Sequence, residues 1–433
     1  MNINKINGFT SLKEKLNRRK QDYFFTPEVA VKEQAVREIV FDVKARGDKA
    51  VKEYTLLFDK VSLKSLEVSK QQIKQAFKQV DNDLLKAMQK AYERIKKYHQ
   101  KQLAGLKKAI QDMGGVQKLL PVDVAAVYAP GGRAFYPSSV LMTATLARVA
   151  GVKEVILLTP PSDNGGVTAV TLAAASIAGV DRVFAVGGAQ GIAAVAFGTE
   201  SLPKADVICG PGNIYVTLAK KAVYGAVNID GLQGPSEAMI IADQTADAVL
   251  VASEILAQAE HDPLAQSVFI TTSDSYYEQV MEQLQLQWQN SLRKSTIQQS
   301  LQNNGCFGVV ANMQQAIELA NMYAAEHLCL MFKDAQNYVK DIKNAGCVFV
   351  GANTGVEFGD YVVGPSHALP TGGSARFYSP LNINHFMKIT DVVCLKDKEI
   401  SELAPTVESI AKSEGLAAHA YAAAIRKDRA QKK

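Results

Sequence analysis

No run of apolar residues in the sequence approaches the ~18 that a membrane-spanning helix needs, so no membrane association is expected. The opening MNINKINGFTSLKEKLNRRKQ lacks the apolar core of a secretory signal, and a reduced cytoplasmic location fits. The five cysteines (Cys209, Cys306, Cys329, Cys347, Cys394) are odd in number and contain no C-x-x-C. A disulfide framework and a four-cysteine zinc site are therefore not expected. Cys329 and Cys347 fall in apolar runs and read as packing residues. Glycine (30) and proline (14) are ordinary in number, which excludes collagen-like and low-complexity chains. No G-x-G-x-x-G occurs; Gly187-Gly188-Ala189-Gln190-Gly191 approaches that dinucleotide fingerprint without matching it. Histidine is scarce, and five of the six (His261, His327, His367, His385, His419) follow residue 260. Ligation and acid–base chemistry are thus to be sought in the second half.

What is present is a globular composition, 47% hydrophobic and 21% charged. The 433 residues allow two to four domains with sizeable cores. The net charge of +5 arises largely from Lys-rich helical segments in the first ~110 residues. No reader motif accompanies them, so a solvated helix face is expected rather than a nucleic-acid footprint.

Residues 1–25 are polar and basic and read as an N-terminal arm. Val36, Ile39, Val40 and Val43 fall at helical spacing, as do Ile73, Phe77, Val80, Leu84, Met88 and Ile95 after Ser69. From Val124 the texture changes. Short β-branched runs at 124–128, 154–158, 182–186 and 205–209 each end in a Gly- or Pro-rich turn (APGGR, TPPSDNGG, GGAQG, GPGN) that opens a helical stretch. A second series follows at 238–242, 267–271, 307–311, 328–332 and 347–351. Strand, turn and helix in repetition predict parallel sheets covered on both faces. The expected fold class is α/β, with two Rossmann-like parallel-sheet units, the N-terminal arm and a helical C-terminal tail. Residues 351–380 show no periodicity and read as a long loop, of a length expected to be functional or disordered. Ligands of open parallel sheets sit at strand carboxyl ends, and the Gly210-Pro211-Gly212-Asn213 turn opens a helix suited to an anion.

Gln258 and His261, three apart, share a helix face. With Asp360 in the loop and His419 near the C-terminus they would make a donor set suited to Zn²⁺, although spacing alone equally allows hydrogen-bonded cap residues. Glu326-His327 places a carboxylate beside an imidazole, a candidate general base or a polar pair ending a helix. His367, between glycines and prolines in GPSHALPTGGSAR, is a better functional candidate than a helical histidine. His99 and His385 have no such setting.

Eight blocks in order resemble the histidinol dehydrogenase family: VYAPGG (127–132), FAVGGAQ (184–190), GPGNIYVT (210–217), GPSEAMIIAD (234–243), ILAQAEHDPLAQ (255–266), AEHL (325–328), GDYVVGPSHALPTGGSAR (359–376) and EGLAAHA (414–420). The resemblance implies a zinc-dependent homodimer that uses two NAD⁺ to oxidise L-histidinol to L-histidine through the aldehyde, the last step of histidine biosynthesis. It implies one Zn²⁺ per subunit held by Gln258, His261, Asp360 and His419, the last supplied across the subunit interface so that active sites are shared. It further implies Glu326 and His327 as catalytic residues, with His327 the general base and Glu326 activating water. Substrate contacts fall on Ser236, His327, His367 and Glu414 besides the zinc ligands, and NAD contacts on Tyr128, Gln190 and Asn213. The implied organisation is an arm at 1–25, a discontinuous catalytic domain of 26–123 with 234–376, an inserted dinucleotide-binding domain at 124–233, and a tail at 377–433 that reaches the partner. Gln233, Ala325 and Ser366 depart from the family's usual Ala, Pro and Asn, which puts loop geometry in question and not the reaction class. Two rivals remain: a paralogue acting on another amino alcohol or diol, and a binding protein without catalysis.

Overall fold

Local rules in the sequence set the element boundaries. Thr26 caps the helix Pro27–Arg46 by accepting from Val29 N at 3.3 Å, with Pro27 at the first helical position. Ser69 and Gln72 form a capping box that starts the helix Lys70–Ala76. Asn213 caps Ile214–Val223, accepting from Tyr215 N at 3.0 Å and Val216 N at 3.2 Å. The computed structural model describes residues 3–17, 23–114, 116–131, 136–163 and 165–432. Gly132 and Arg133 of the APGGR turn, Asn164 of TPPSDNGG and residues 1–2 and 18–22 of the expected arm lie outside the described residues.

The strands in chain order are β1 (Lys5–Asn7), β2 (Gln117–Pro121), β3 (Val124–Tyr128), β4 (Glu154–Leu158), β5 (Arg182–Phe184), β6 (Val207–Cys209), β7 (Asn228–Ile229), β8 (Glu237–Ala242), β9 (Gln266–Thr271), β10 (Cys306–Val309), β11 (His327–Met331), β12 (Cys347–Val350) and β13 (Met387–Asp391). β13 pairs with β2 in a two-stranded sheet, and the other eleven form an all-parallel sheet in the order β5-β4-β3-β6-β7 and a second parallel sheet in the order β1-β10-β9-β8-β11-β12. Apart from β1, both follow one scheme: the first three strands are laid outward in one direction, and the last two on the other side of the first. That is the doubly wound order of a dinucleotide-binding sheet less its sixth strand, and the reversal leaves a crevice between the first and fourth strands. The α/β class with two Rossmann-like units and a helical C-terminal region is as the sequence predicts. Among the described residues no helix is long and apolar enough to cross a membrane.

Both faces of each sheet are buried, and successive side chains alternate between them as a pleat requires. Ala125, Val127, Val155 and Leu157 enter one core, and Ala126, Tyr128, Ile156 and Leu158 the other. In the second sheet Ile240 and Phe269 face one layer while Met239, Ile241 and Val268 face the opposite one.

Two expectations change. The opening residues are not a free arm. Ile6 pairs in register with Gly308, and Leu12 and Leu16 join the core of the second sheet. A Cβ on Gly308 would run into Ile6 O and lie 2.7 Å from Leu12 Cδ2, so glycine there admits the edge strand. The helix Pro27–Arg46, expected with 234–376, puts Val29, Val36, Val40 and Val43 in the core of the first sheet, against Ile192 and Val195.

The chain separates into two units. The first comprises 1–103 and 121–387 and holds both large sheets. The second comprises 104–120 and 388–433. In it Val392 N donates to Val116 O at 2.7 Å. The helices Asp397–Ser413 and Ala417–Ala430 pack together around a turn whose Gly415 has φ +75°.

Candidate active site

The second sheet delivers its chemistry at the amino ends of two neighbouring strands, β8 and β11, opposite to the usual carboxyl-end rule. Ser236 immediately precedes β8 and Glu326 immediately precedes β11, and these strands are neighbours. The helix Ala248–Ala259 follows β8 and runs back to the start of β9, which returns Gln258 and His261 to the same rim. Asp360 is not in an irregular loop as expected. It lies on a one-and-a-half-turn helix, Val356–Tyr361, too short to show periodicity in the sequence.

The side chains form a chain of contacts. Ser236 Oγ donates to Glu326 Oε2 at 2.9 Å, and Glu237 N donates to the same oxygen at 2.9 Å. Gln258 Nε2 donates to Ser236 Oγ at 3.3 Å. Glu326 Oε2 is 3.6 Å from His327 Nδ1, which also lies 3.3 Å from Glu237 O. A carbonyl only accepts, so Nδ1 carries hydrogen and Nε2 is the atom free to exchange a proton. That Nε2 faces Asp360 Oδ1 at 3.5 Å. His367 Nδ1–H donates to Asp360 O at 2.9 Å, leaving its Nε2 to accept from Ser139 Oγ at 3.4 Å.

Electrostatics set the protonation. Burial pushes Glu326 up to about 7 against the pull of His327. Burial alone would lower His327, but the carboxylates of Glu326 and Asp360 outweigh it and lift the imidazole to about 9. Burial likewise opposes ionisation of Asp360, yet the imidazoles of His327, His367 and His261 hold it below its ordinary value. Burial holds His367 down, toward the neutral form.

The residues suit a metal. Gln258 Oε1 is buried with no hydrogen-bond partner, an arrangement that costs about 1–3 kcal/mol unless something binds it. The amide oxygen of Gln258, the imidazole of His261 and the carboxylate of Asp360 offer three donors acceptable to zinc. Among the described residues no three His, Cys, Asp or Glu side chains alone make a metal cluster. His419 and Glu414 lie in the second unit. Both are exposed, and His419 borders an apolar groove with Leu403, Val407 and Ala422.

A second set of residues lines the carboxyl rim of the first sheet, at its crevice. Tyr128 ends β3, and the Gly210 turn follows β6 beside it. Gly210 has φ +118°, and a Cβ there would collide with Tyr128 O. Gly188 N donates to Tyr128 Oη at 3.3 Å. Gln190 Oε1 is buried without a partner, so it too awaits a donor, as a bound dinucleotide amide or hydroxyl would supply. Asn213 spends its oxygen on the helix cap and is exposed at the helix start.

Sequence reasoning missed several supporting groups. Glu237 Oε1 accepts from Glu326 N at 3.3 Å and Gly372 N at 3.1 Å. Glu254, one turn before Gln258, accepts from Val356 N at 3.3 Å and so ties the Gln258 helix to the Asp360 helix. Burial and the adjacent Glu357 push Glu254 up to about 7. Lys220, fully buried, pairs with Asp230, donates to Gln233 Oε1 at 2.7 Å and to Gly210 O at 3.2 Å, while Asp230 Oδ2 accepts from Gly210 N at 2.7 Å. The Gln233 departure is thus a third acceptor for an ammonium. Ser366 is buried, donating to Met142 O at 3.0 Å and accepting from Ala368 N at 3.2 Å. Ala325 is buried and follows Ala324 at φ +55°. His99 is buried on Gln102, and His385 serves a cap at Asn382, so neither joins the site.

Comparison with known proteins gives concordant matches. The family model described as histidinol dehydrogenase matches residues 26–427. Histidinol dehydrogenases from two strains of Dehalococcoides mccartyi are 52% and 51% identical over 427 and 428 residues, each match covering 96% of this chain and 98% of the relative. The crystal structure of histidinol dehydrogenase from Elizabethkingia anophelis superposes with a TM-score of 0.88 at 32% identity, over 99% of this chain and 98% of that one.

Proposed function

This chain belongs to the histidinol dehydrogenase family, an oxidoreductase family of histidine biosynthesis, and from that premise we propose that it performs the NAD-linked, zinc-dependent oxidation of L-histidinol to L-histidine by way of L-histidinaldehyde. The observation that carries the proposal is the run Ser236–Glu326–His327–Asp360 beside the unpartnered oxygen of Gln258. Gln258, His261 and Asp360, with His419 of the partner subunit in a cytoplasmic homodimer, would hold one Zn²⁺ per subunit, and Glu414 would contact the substrate. Zinc would supply a clamp for the imidazole and amine of histidinol.

The protein's residues do the proton work. When Asp360 is engaged elsewhere, His327 loses one of the two carboxylates that keep its Nε2 protonated and can accept the alcohol proton. Tyr128, Gln190 and Asn213 on the crevice rim would hold NAD⁺, which would supply a hydride acceptor for the carbinol carbon. Water then adds to the aldehyde as Glu326, ready to trade a proton near neutrality, takes one from it. His327 again accepts the hydroxyl proton of the hydrate, for which a second NAD⁺ would supply the hydride acceptor. Ser236 and Glu237 N orient Glu326, and His367 buttresses Asp360. The balance is one alcohol, one water and two NAD⁺ giving one carboxylate, two NADH and three protons.

The test is stoichiometry. Limiting L-histidinol should yield two equivalents of NADH, and a chelator should abolish the yield until zinc is restored. One equivalent with accumulating aldehyde, or turnover indifferent to the chelator, refutes the assignment.

A further inference from the structure

One acidic side chain beside the first sheet carries an oxygen left without a partner among the described residues. Asp59 ends the helix Asp48–Asp59, and its Oδ2 is buried with no hydrogen-bond partner among the described residues. Isolation from water lifts its carboxyl to about 6. An arginine or lysine would have relieved that isolation, and among the described residues none is placed there.

The segment on the carboxyl side of Asp59 fixes where this side chain lies. Residues 66–68 run antiparallel along the open edge of β5: Val68 N donates to Val183 O at 2.8 Å, Ala185 N donates to Leu66 O at 2.8 Å, and Glu67 bridges Phe184. Tracing that segment backwards leads along β5 to its carboxyl end, toward the Gly187-Gly188 turn. On the way Val61 and Leu63 pack against Gly165 in the loop after β4. Burial raises the Tyr128 phenol, and Asp59 arrives close enough for its charge to add to that rise; Tyr128 Oη is the group that meets Gly188 N. The unpartnered carboxylate therefore shares a rim with Tyr128, Gly188 and Gln190.

The order of the strands says which part of a dinucleotide it meets. Ser236 and Glu237 continue from β7, at one edge of the first sheet, and Asp59 stands by β5 at the other. The reacting nicotinamide belongs on the β7 side, and the adenosine on the β5 side. In a doubly wound sheet the carboxylate that takes ribose hydroxyls follows the second strand, here β4; Asp59 reaches the same adenosine side from beyond β5. We propose that Asp59 accepts hydrogen bonds from the vicinal hydroxyls of the adenosine ribose and, through its charge, rejects a cofactor bearing a 2′-phosphate. The proposal rests on the NAD-linked reading above.

Binding of NADH and NADPH to the zinc-loaded enzyme, read by nicotinamide fluorescence, tests it without turnover. The wild type should favour NADH. Asp59→Asn and Asp59→Ala should each weaken NADH about ten- to hundredfold, the loss of a charge-assisted bond, and shrink the NADH-to-NADPH preference at least about tenfold. Histidinol affinity and zinc content should stay the same, and neither variant should melt below wild type at pH 8. NADH affinity within twofold of wild type in both variants overturns the proposal. So does an equal loss for NADH and NADPH, which would place Asp59 away from the 2′ position. A wild type that binds neither nucleotide removes the NAD-linked reading itself.

Discussion

Lys220→Met is the most demanding test of how the carboxyl rim of the first sheet is held. The ammonium has three hydrogens and three acceptors: Asp230, Gln233 Oε1 and Gly210 O. Both partners of the ion pair are inaccessible, at 1% and 0% side-chain exposure. Methionine keeps the length and removes the charge, which strands the Asp230 carboxylate on the Gly210 N–H alone. Breaking one side of such a buried pair costs about 3–5 kcal/mol. Adding Asp230→Asn removes the stranded charge while leaving an amide oxygen for Gly210 N–H, and should restore about 2 kcal/mol of the loss. Guanidinium unfolding followed by circular dichroism would measure both, as midpoint shifts at constant slope. A loss under about 1 kcal/mol, or a double variant no more stable than Lys220→Met, would show that the pair does not hold this turn.

Four further outcomes are expected. Glu326→Gln should slow aldehyde oxidation by roughly 10²–10⁴-fold and alcohol oxidation far less; equal losses in separate half-reaction assays would end the division of labour between Glu326 and His327. His261→Asn should leave the purified protein without zinc on elemental analysis, and undiminished metal would exclude it as a ligand. Gly308→Ala drives a methyl into Ile6 O and Leu12, so stability should fall by about 1–3 kcal/mol with faster proteolysis near β1; wild-type resistance would contradict the register. The Asp59 carboxyl stands above its unfolded value of 3.8, at about 6, so the folded state binds the extra proton between those values and wild-type stability falls as pH rises through that window. Asp59→Asn should accordingly raise Tm at pH 8 and leave it unchanged at pH 4; a gain at both pH values would sever it from titration.

The strands were the legible part of the fold. VAAVY and EVILL sit in β3 and β4 residue for residue, because a strand buried on both faces is an unbroken apolar run bounded by turns. RVFAV ends two residues early, since Ala185 leaves β4 to bond Leu66. Strand order was not legible: parallel neighbours are set by crossovers, and β1 has only Ile6 and nearby Leu12 to mark it among basic residues. Histidines pointed to the site because imidazole is rare in this chain. Its scaffolding did not stand out. Lys220 beside Lys221 looks like a solvated helix end, its counter-ion lies ten residues away in a loop, and Glu237 is hidden behind Ser236 in one tetrapeptide. Asp360 read as loop because six residues cannot display a helical repeat.

The edge strand has a consequence for synthesis. Lys5 pairs with Phe307, some 300 residues later in the chain. At about 5–20 residues per second, the ribosome delivers the partner roughly 15–60 s after the strand itself. Throughout that interval Ile6, Phe9, Leu12 and Leu16 have no native surface to occupy, and when β10 emerges its flank is bare until they arrive. Whatever shields this short stretch while translation continues, a chaperone or its own lysines, decides how much nascent chain reaches the finished sheet.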